Sequence, residues 1–273
     1  MLVRTQTRAN AANWLNLFAK VLDISKTEVR YNSEWMDTIN FNAVGELAKH
    51  FSVAEMLDRD NFSKRYKGGV RISLQEFLYP IMQGYDSVAI RADIELGGND
   101  QYFNLLAGRT LQEAHGQPKQ DVMTFDLLLG PDGKKMSKTG GNTIAVDMTP
   151  QEMFVKTMEV EDALIISYFE LATTMPLEQI AAVKERLTAC EHPRTLKLEL
   201  AHEIVTLYHT KAQALEAEEY FERVIAAGGR PTESETPRFI ASSNSMTLAN
   251  LLKEVGFFTT SGDVRNALSS GGI

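Results

Sequence analysis

The run Asp93-Ile94-Glu95-Leu96 is stopped abruptly by Gly97-Gly98, and from Asn99 or Asp100 onward Phe103, Leu106 and Leu111 recur at helical spacing. A buried strand over Asp93–Leu96, a glycine pair and a helix N-terminus are expected in that order, which ties the chain to the α/β class. The same layout suits a ligand site. Without a Cβ the backbone can approach a bound group closely, and the free N–H groups at a helix start favour an anion or a polar atom. A second strand-like run, Met123–Leu129, ends in Gly130-Pro131-Asp132-Gly133, a strong turn signal.

Helical patterns flank this centre. Trp14, Leu15, Phe18, Val21 and Leu22 mark an amphipathic helix over 8–22, a short strand is expected over Glu28–Tyr31, and Phe41, Val44, Leu47, Ala48 and Phe51 mark a second helix. Ser52 with Glu55 and Ser73 with Glu76 have capping-box spacing, so helices should begin there, and Arg59–Arg71 between them reads as a basic surface loop. Thr149 with Pro150 and Glu152 combines two further start signals. Helices are expected over 150–171, 176–189, 193–210 and 212–227, then a linker over 228–245, and two short helices over Thr247–Val255 and Ser261–Leu268.

Composition narrows the class. The 273 residues are 44 % hydrophobic and 23 % charged, enough apolar material for a core, so a wholly disordered chain is excluded. No apolar run approaches the roughly 18 residues of a membrane span. The first residues, with Arg4, Gln6 and Arg8, do not read as a secretory signal. Cys190 is the one cysteine, which excludes an internal disulfide and a cysteine zinc site and favours a reducing, cytoplasmic setting. The formal charge of −8 argues against a protein that coats nucleic acid.

Three strings carry chemistry. Tyr79, Gln83 and Asp86 are spaced i, i+4, i+7 and share one helix face that presents a phenol, an amide and a carboxylate. That set suits a small zwitterion with an ammonium and a hydroxyl; a surface helix edge is the competing reading. Pro80 lies inside the same helix and should kink it. Gly97-Gly98-Asn99-Asp100-Gln101 places a carboxylate beside a glycine turn, where it can accept from ribose hydroxyls or serve as a plain helix cap. Lys134-Lys135-Met136-Ser137-Lys138-Thr139 with Gly140-Gly141-Asn142 puts ammonium groups on a glycine-flanked loop, as polyphosphate chemistry requires. It is not a Walker loop, because no G-x-x-x-x-G-K-[ST] occurs. The histidines, His50, His115, His192, His202 and His209, form no H-E-x-x-H pattern and read as surface or interface residues, so no metal site is expected; Cys190 reads as structural.

These strings, taken in order, resemble the bacterial-type tyrosyl-tRNA synthetases, which are class I aminoacyl-tRNA synthetases. Lys26–Trp35 and Ile72–Tyr79 look like the same family, and the likeness runs over essentially the whole chain. The tyrosine-site helix separates it from the tryptophan-specific relatives, which share the lysine loop. The resemblance implies an α/β fold: the C-terminal part of a class I synthetase Rossmann-type catalytic domain with a dimerisation insert over 1–148, a helical domain over 149–227, a linker over 228–245 and the start of an S4-like RNA-binding module over 246–273. It implies ATP-dependent activation of tyrosine to tyrosyl-adenylate and transfer to tRNA(Tyr). Tyr79 and Gln83 then hold the substrate α-ammonium and Asp86 its phenol. Gly98 and Asp100 meet the ribose, Gln101 lies near the carboxylate being activated, and Lys135, Lys138 and Thr139 stabilise pyrophosphate. ATP and Mg2+ arrive as a substrate complex, with no tightly bound cofactor and no DNA or membrane partner. A homodimer is implied across Phe41–Leu78, with Phe41, Leu47, Phe51, Met56, Leu57 and Phe62 as interface candidates.

The family's H-x-G-H signature does not occur in this sequence. With it the first strand region and a second phenol partner are missing, so the chain reads as a fragment cut at both ends. A non-catalytic RNA-binding or scaffold relative, and another class I nucleotidyltransferase with the same lysine loop, are the alternative readings.

Overall fold

The computed structural model describes residues 4–137, 141–232, 235–236, 239–242 and 245–269. In chain order its elements are α1 (Arg4–Phe18), α2 (Ser33–Met36), α3 (Phe41–Ala48), α4 (Val53–Asp58), α5 (Asp60–Lys67), α6 (Leu74–Ile90), β1 (Ile94–Gly98), α7 (Tyr102–Ala114), β2 (Asp121–Phe125), α8 (Pro150–Met158), α9 (Ile165–Ala172), α10 (Leu177–Thr188), α11 (Pro193–Tyr208), α12 (Lys211–Tyr220), α13 (Leu248–Glu254) and α14 (Ser261–Ser269). The chain divides into two compact units, Met1–Glu218 and Glu219–Ile273.

The expected starts of α4, α6 and α8 are all present, each with both reciprocal capping-box bonds, from Ser52/Glu55, Ser73/Glu76 and Thr149/Glu152. Glu76 also binds Arg65, and these bonds, the Arg65 one first, hold its carboxyl down at about 2. The helix capped by Ser73 runs unbroken through Pro80 for 17 residues, and Pro80 itself is buried.

β1 and β2 pair in parallel with Ile94 opposite Asp121 and Gly98 opposite Phe125, joined by α7 as a βαβ unit. The strand expected over Asp93–Leu96 is present, but it is not buried. Ile94 and Leu96 are both 61 % exposed, and Met123 and Phe125 open onto the same face, because among the described residues nothing lies over it. Gly97 and Gly98 also pair within β1 instead of ending it. The other face of the sheet carries Glu95 and packs toward α6 and α7.

Two further readings are corrected. Arg59–Arg71 is not a loop: α5 occupies most of it, anchored by fully buried Phe62, whose ring packs against Phe77 with centroids 5.0 Å apart. Glu28–Tyr31 forms no strand, since no neighbouring segment among the described residues supplies a ladder.

Leu47, Met56, Ile81, Val88 and Leu111 form a core between α3, α4, α6 and α7, with Phe51, Phe77, Tyr85 and Phe103 packed against it. This overturns part of the interface expectation, because Leu47, Met56 and Phe62 are spent in the chain's own interior. Phe41, 90 % exposed, and Leu74, 83 % exposed, stay on the surface. A second core fills the helical part, where Met153, Phe154, Ile165, Phe169, Leu196, Leu200 and Val205 are completely buried. At about 1.5–3 kcal/mol for each buried large apolar side chain, such positions supply most of the stabilisation of α8, α9 and α11.

In the second unit α13 begins at Thr247, whose hydroxyl accepts from the Asn250 N–H, and α14 follows. Among the described residues no helix is long and apolar enough to cross a membrane.

Candidate functional site

Helix α6 presents Tyr79, Gln83 and Asp86 along one face, and each meets a different partner. The Tyr79 hydroxyl accepts from Arg59 Nη2 at 2.7 Å. That guanidinium stacks 5.3 Å from the ring centroid of Tyr79, 5.3 Å from that of Phe62 and 4.6 Å from that of Phe103. Such cation–π contacts hold a charged group firmly among aromatic side chains. Gln83 Nε2 lies 3.5 Å from Glu95 Oε1 on β1.

Asp86 Oδ1 accepts from Trp35 Nε1 at 2.7 Å, and the Asn32 side chain also donates to the Asp86 carboxylate. Burial pushes the Asp86 carboxyl above its ordinary value, and nearby Glu95 adds to that, while the Trp35 and Asn32 bonds pull the other way. A carboxylate has about four lone-pair sites. Two are taken here, and acceptor capacity remains for a ligand hydroxyl.

At the end of β1 the chain turns through a 3₁₀ segment, Asn99–Gln101, before α7 begins. Neither Asn99 nor Asp100 caps α7: the N-cap is Gln101, which makes no side-chain cap bond. Asn99 instead donates to Asp126 at 2.6 Å, and Gln101 accepts from Asn104 at 2.8 Å. Asp100 turns toward the lysine string, its Oδ2 3.7 Å from Lys135 Nζ. A Cβ at Gly98 would lie 2.8 Å from Asp100 Oδ1, so a larger residue there would push the Asp100 carboxylate from this position.

The lysine string rises from a tight base. Gly133 N–H donates to Gly130 O at 2.9 Å, closing the expected turn, and Leu129 bridges Lys135 in antiparallel fashion. Asn142 staples this base by donating to Asp132 at 2.7 Å and accepting from the Ser137 N–H at 2.9 Å. The Asn142 bond holds the Asp132 carboxyl below its ordinary value. Tyr168 of α9 donates to Leu129 O at 2.7 Å; burial raises its phenol to about 12, with the Asp132 charge adding to it. Lys134 and Lys135 project into solvent, and Lys138 and Thr139 lie outside the described residues.

The structure thus gathers Tyr79, Gln83 and Asp86 on one side of β1, and Asp100 with Lys135 at its end. Arg59, Glu95, Gln120 and Tyr168 support these residues and were not singled out from the sequence. Their contacts span 12 or more positions along the chain, and only the acidic Glu95 in an apolar strand was a visible anomaly. Four histidines act as local or structural partners: His115 bonds Leu111 O, His192 caps α11 by accepting from the Arg194 N–H, His202 pairs with Glu218 and His209 meets Met148 O. Cys190 is exposed and takes the left-handed position, φ 63°, at the end of α10. Among the described residues no three His, Cys, Asp or Glu side chains converge as a metal site.

This βαβ unit with its lysine loop and following helices matches a known family. Residues 1–226 fit the family described as tRNA synthetases class I (W and Y), and the chain belongs to it. Its similarity to the tyrosine–tRNA ligase of Ralstonia nicotianae is 44 % identity over 273 residues, all of this chain and 69 % of that one. The ligase of Cupriavidus pinatubonensis is 43 % identical over the same 273 residues, 65 % of its length. Within the class, the chain belongs to the tyrosine–tRNA ligase family, and it spans about two thirds of the length of these relatives.

Among solved structures, a C-terminally truncated mitochondrial tyrosyl-tRNA synthetase of Coccidioides posadasii is 26 % identical with a TM-score of 0.53, over 69 % of this chain and 56 % of that one. A mitochondrial tyrosyl-tRNA synthetase of Aspergillus nidulans, also truncated at its C-terminus, has a TM-score of 0.58 at 20 % identity over 81 % of this chain and 69 % of that one, and speaks for the fold alone. Both likenesses agree with the α/β reading.

Proposed function

We propose that this chain carries the amino-acid site and the lysine loop of a tyrosine–tRNA ligase, which joins tyrosine to AMP at the expense of ATP and passes the tyrosyl group to tRNA(Tyr). The observation that supports this best is the face of α6, where a phenol, an amide and a half-buried carboxylate stand together, with Asp86 fixed by Trp35 at 2.7 Å.

In this reading Tyr79 and Gln83 hold the α-ammonium and Asp86 accepts the substrate phenol O–H. A buried acceptor left unpaired by phenylalanine accounts for discrimination, as this enzyme family itself exemplifies. Gly98 and Asp100 receive the ribose, and Gln101 lies beside the tyrosine carboxylate as it attacks the α-phosphorus. The bond from the α-phosphorus to the bridging oxygen then breaks, and the leaving pyrophosphate takes that electron pair. Lys135, Lys138 and Thr139 neutralise the charge that grows on it, a contact made mainly in the transition state. Mg2+ enters with ATP as part of the substrate. No phosphate role is assigned here to H-x-G-H histidines, since that string does not occur in these 273 residues.

The partition into a catalytic part over 1–148, a helical domain over 149–227, a linker over 228–245 and an S4-like portion over 246–273 belongs to the same proposal. So does a cytoplasmic homodimer, for which exposed Phe41 and Leu74 are the apolar candidates.

Calorimetric titration with tyrosine, phenylalanine and tryptophan, alongside ATP–pyrophosphate exchange with each, tests the proposal. Preference for tyrosine that is lost in Asp86→Ala supports it. Tryptophan-dependent exchange without tyrosine-dependent exchange refutes it, and so does tRNA binding with no amino-acid binding, the outcome expected of a non-catalytic RNA-binding relative.

A further inference from the structure

We propose that Glu95 is a positioning residue for the amino-acid site: its carboxylate turns the side-chain amide of Gln83 so that the amide oxygen, and not the NH2, faces the α-ammonium of the bound substrate. This rests on the role given to Gln83 above. A glutamine amide can present either end, but an ammonium only donates, so a site that binds it needs the oxygen outward. Glu95 Oε1 lies 3.5 Å from Gln83 Nε2. In the flipped amide two oxygens would oppose each other at that distance, one of them charged, with no proton between them.

Glu95 is itself tightly held. Its Oε2 accepts from Ser87 Oγ at 2.9 Å and from Gln120 Nε2. Ser87 is one turn beyond Gln83 on α6. Gln120 is anchored by its own N–H donating to Gln112 Oε1 at 2.7 Å and by its Nε2 donating to Leu105 O at 3.3 Å. With Oε2 engaged on two sides, Oε1 is left directed at Gln83. The alternation of β1 puts Glu95 on the covered face, opposite exposed Ile94 and Leu96. A Gly108 Cβ would lie 2.5 Å from both Ser87 Oγ and Gln120 Nε2, so the glycine leaves the room in which this cluster closes. The carboxylate also reaches the pocket electrostatically, since it is one of the groups that raises Asp86.

A purely structural strut between β1, α6 and α7 would make the same bonds, so the test must separate the two. The whole chain is titrated with tyramine, which carries the ammonium and the phenol, and with 3-(4-hydroxyphenyl)propanoate, which lacks the ammonium. In Glu95→Gln the new NH2 group meets Gln83 and draws its oxygen inward. Tyramine affinity should fall about tenfold, about 1.4 kcal/mol, while the propanoate changes by less than about twofold. The tyramine loss should vanish when Glu95→Gln is added to Gln83→Ala.

Equal losses for both ligands, or no loss for tyramine, would overturn the assignment. If Glu95→Gln does not fold, Glu95→Asp serves, because the shortened carboxylate withdraws from a contact already at 3.5 Å. A selective tyramine loss then supports the role, and unchanged tyramine affinity overturns it. If the unaltered chain binds neither compound, the amino-acid site itself fails and this role with it; binding of both that Glu95→Gln leaves untouched defeats this role alone.

Discussion

Gly84→Ala tests how closely α6, which carries the proposed tyrosine contacts, is seated on α7. A Cβ built at Gly84 would lie 2.8 Å from the Ala107 carbonyl carbon, 2.9 Å from its oxygen and 3.1 Å from the Gly108 nitrogen. All three are backbone atoms, so no side chain can swing aside. The helices must separate by about 0.6 Å to bring 2.8 Å up to an ordinary contact of 3.4 Å. Overpacking of this kind costs about 1–3 kcal/mol. Replacing glycine inside a helix returns about 1 kcal/mol, so the net effect is a loss of up to about 2 kcal/mol. For a unit of this size each kcal/mol moves Tm by about 2–4 °C, so Tm should fall, by at most about 4–8 °C. The control is Gly45→Ala in α3, where an added Cβ meets nothing within 4 Å. There only the helix propensity acts, and Tm should rise by about 2–4 °C. Scanning calorimetry of the two variants beside the unaltered chain gives the answer. If both shifts are upward, α6 and α7 do not cross this closely.

Other substitutions probe the site and its support. Trp35→Phe removes the hydrogen bond to Asp86, so the Asp86 carboxyl should rise further and the acid limb of tyrosine binding should move to higher pH; an unmoved limb in titrations across pH counts against the contact. Because burial raises Asp86 above its ordinary 3.8, its ionisation favours the unfolded chain, and the stability it contributes below 3.8 is lost as pH rises through the raised value. Asp86→Asn should therefore increase Tm at pH 7, and the gain should disappear in melts below pH 3.8. The sign is opposite for Glu76, whose carboxyl is held down at about 2 against an ordinary 4.5. Its contribution is present above 4.5 and lost as pH falls toward 2, so Glu76→Gln should lower Tm at pH 7 but not at pH 2.

What the sequence made legible was local. A capping box is written in four residues, and Ser52/Glu55, Ser73/Glu76 and Thr149/Glu152 all close as their spacing requires. The shared face of Tyr79, Gln83 and Asp86 followed from helix geometry alone. α5 was also within reach, since Asp60 at its start, Lys64, Arg65 and Lys67 in its last turn and Gly68 at its end are ordinary helix signals. The segment's basic side chains and Gly68-Gly69 give it the look of a surface loop.

What stayed hidden depends on distant partners. The helix expected over 150–171 is broken after Met158, because Val160 is buried completely and the Glu161 N–H donates to Pro131 O at 2.9 Å, tying the break to the turn beneath the lysine loop. Nothing within the 150–171 window encodes that bond. The supporting roles of Arg59, Gln120 and Tyr168 are equally non-local.

The energetics of the α6–α7 pair agree with the proposed site. Four buried polar atoms among the described residues lack a hydrogen-bond partner: Arg59 Nη1, Asn104 Oδ1, Gln117 Oε1 and Gln120 Oε1. Each such orphan costs about 1–3 kcal/mol, yet all four lie on or against α6 and α7. Arg59 stacks on Tyr79, Asn104 is in α7, Gln117 donates to Val88 O at 3.1 Å, and Gln120 donates to Leu105 O at 3.3 Å. Asp86, a carboxylate raised by burial, is on the same helix. A fold selected for stability alone would fill these positions with apolar residues, as it does in the helical core around Phe154 and Leu200. Two of the four, Arg59 against Tyr79 and Gln120 against Glu95, stand beside the residues proposed to hold tyrosine, as a polar ligand site requires before its ligand arrives.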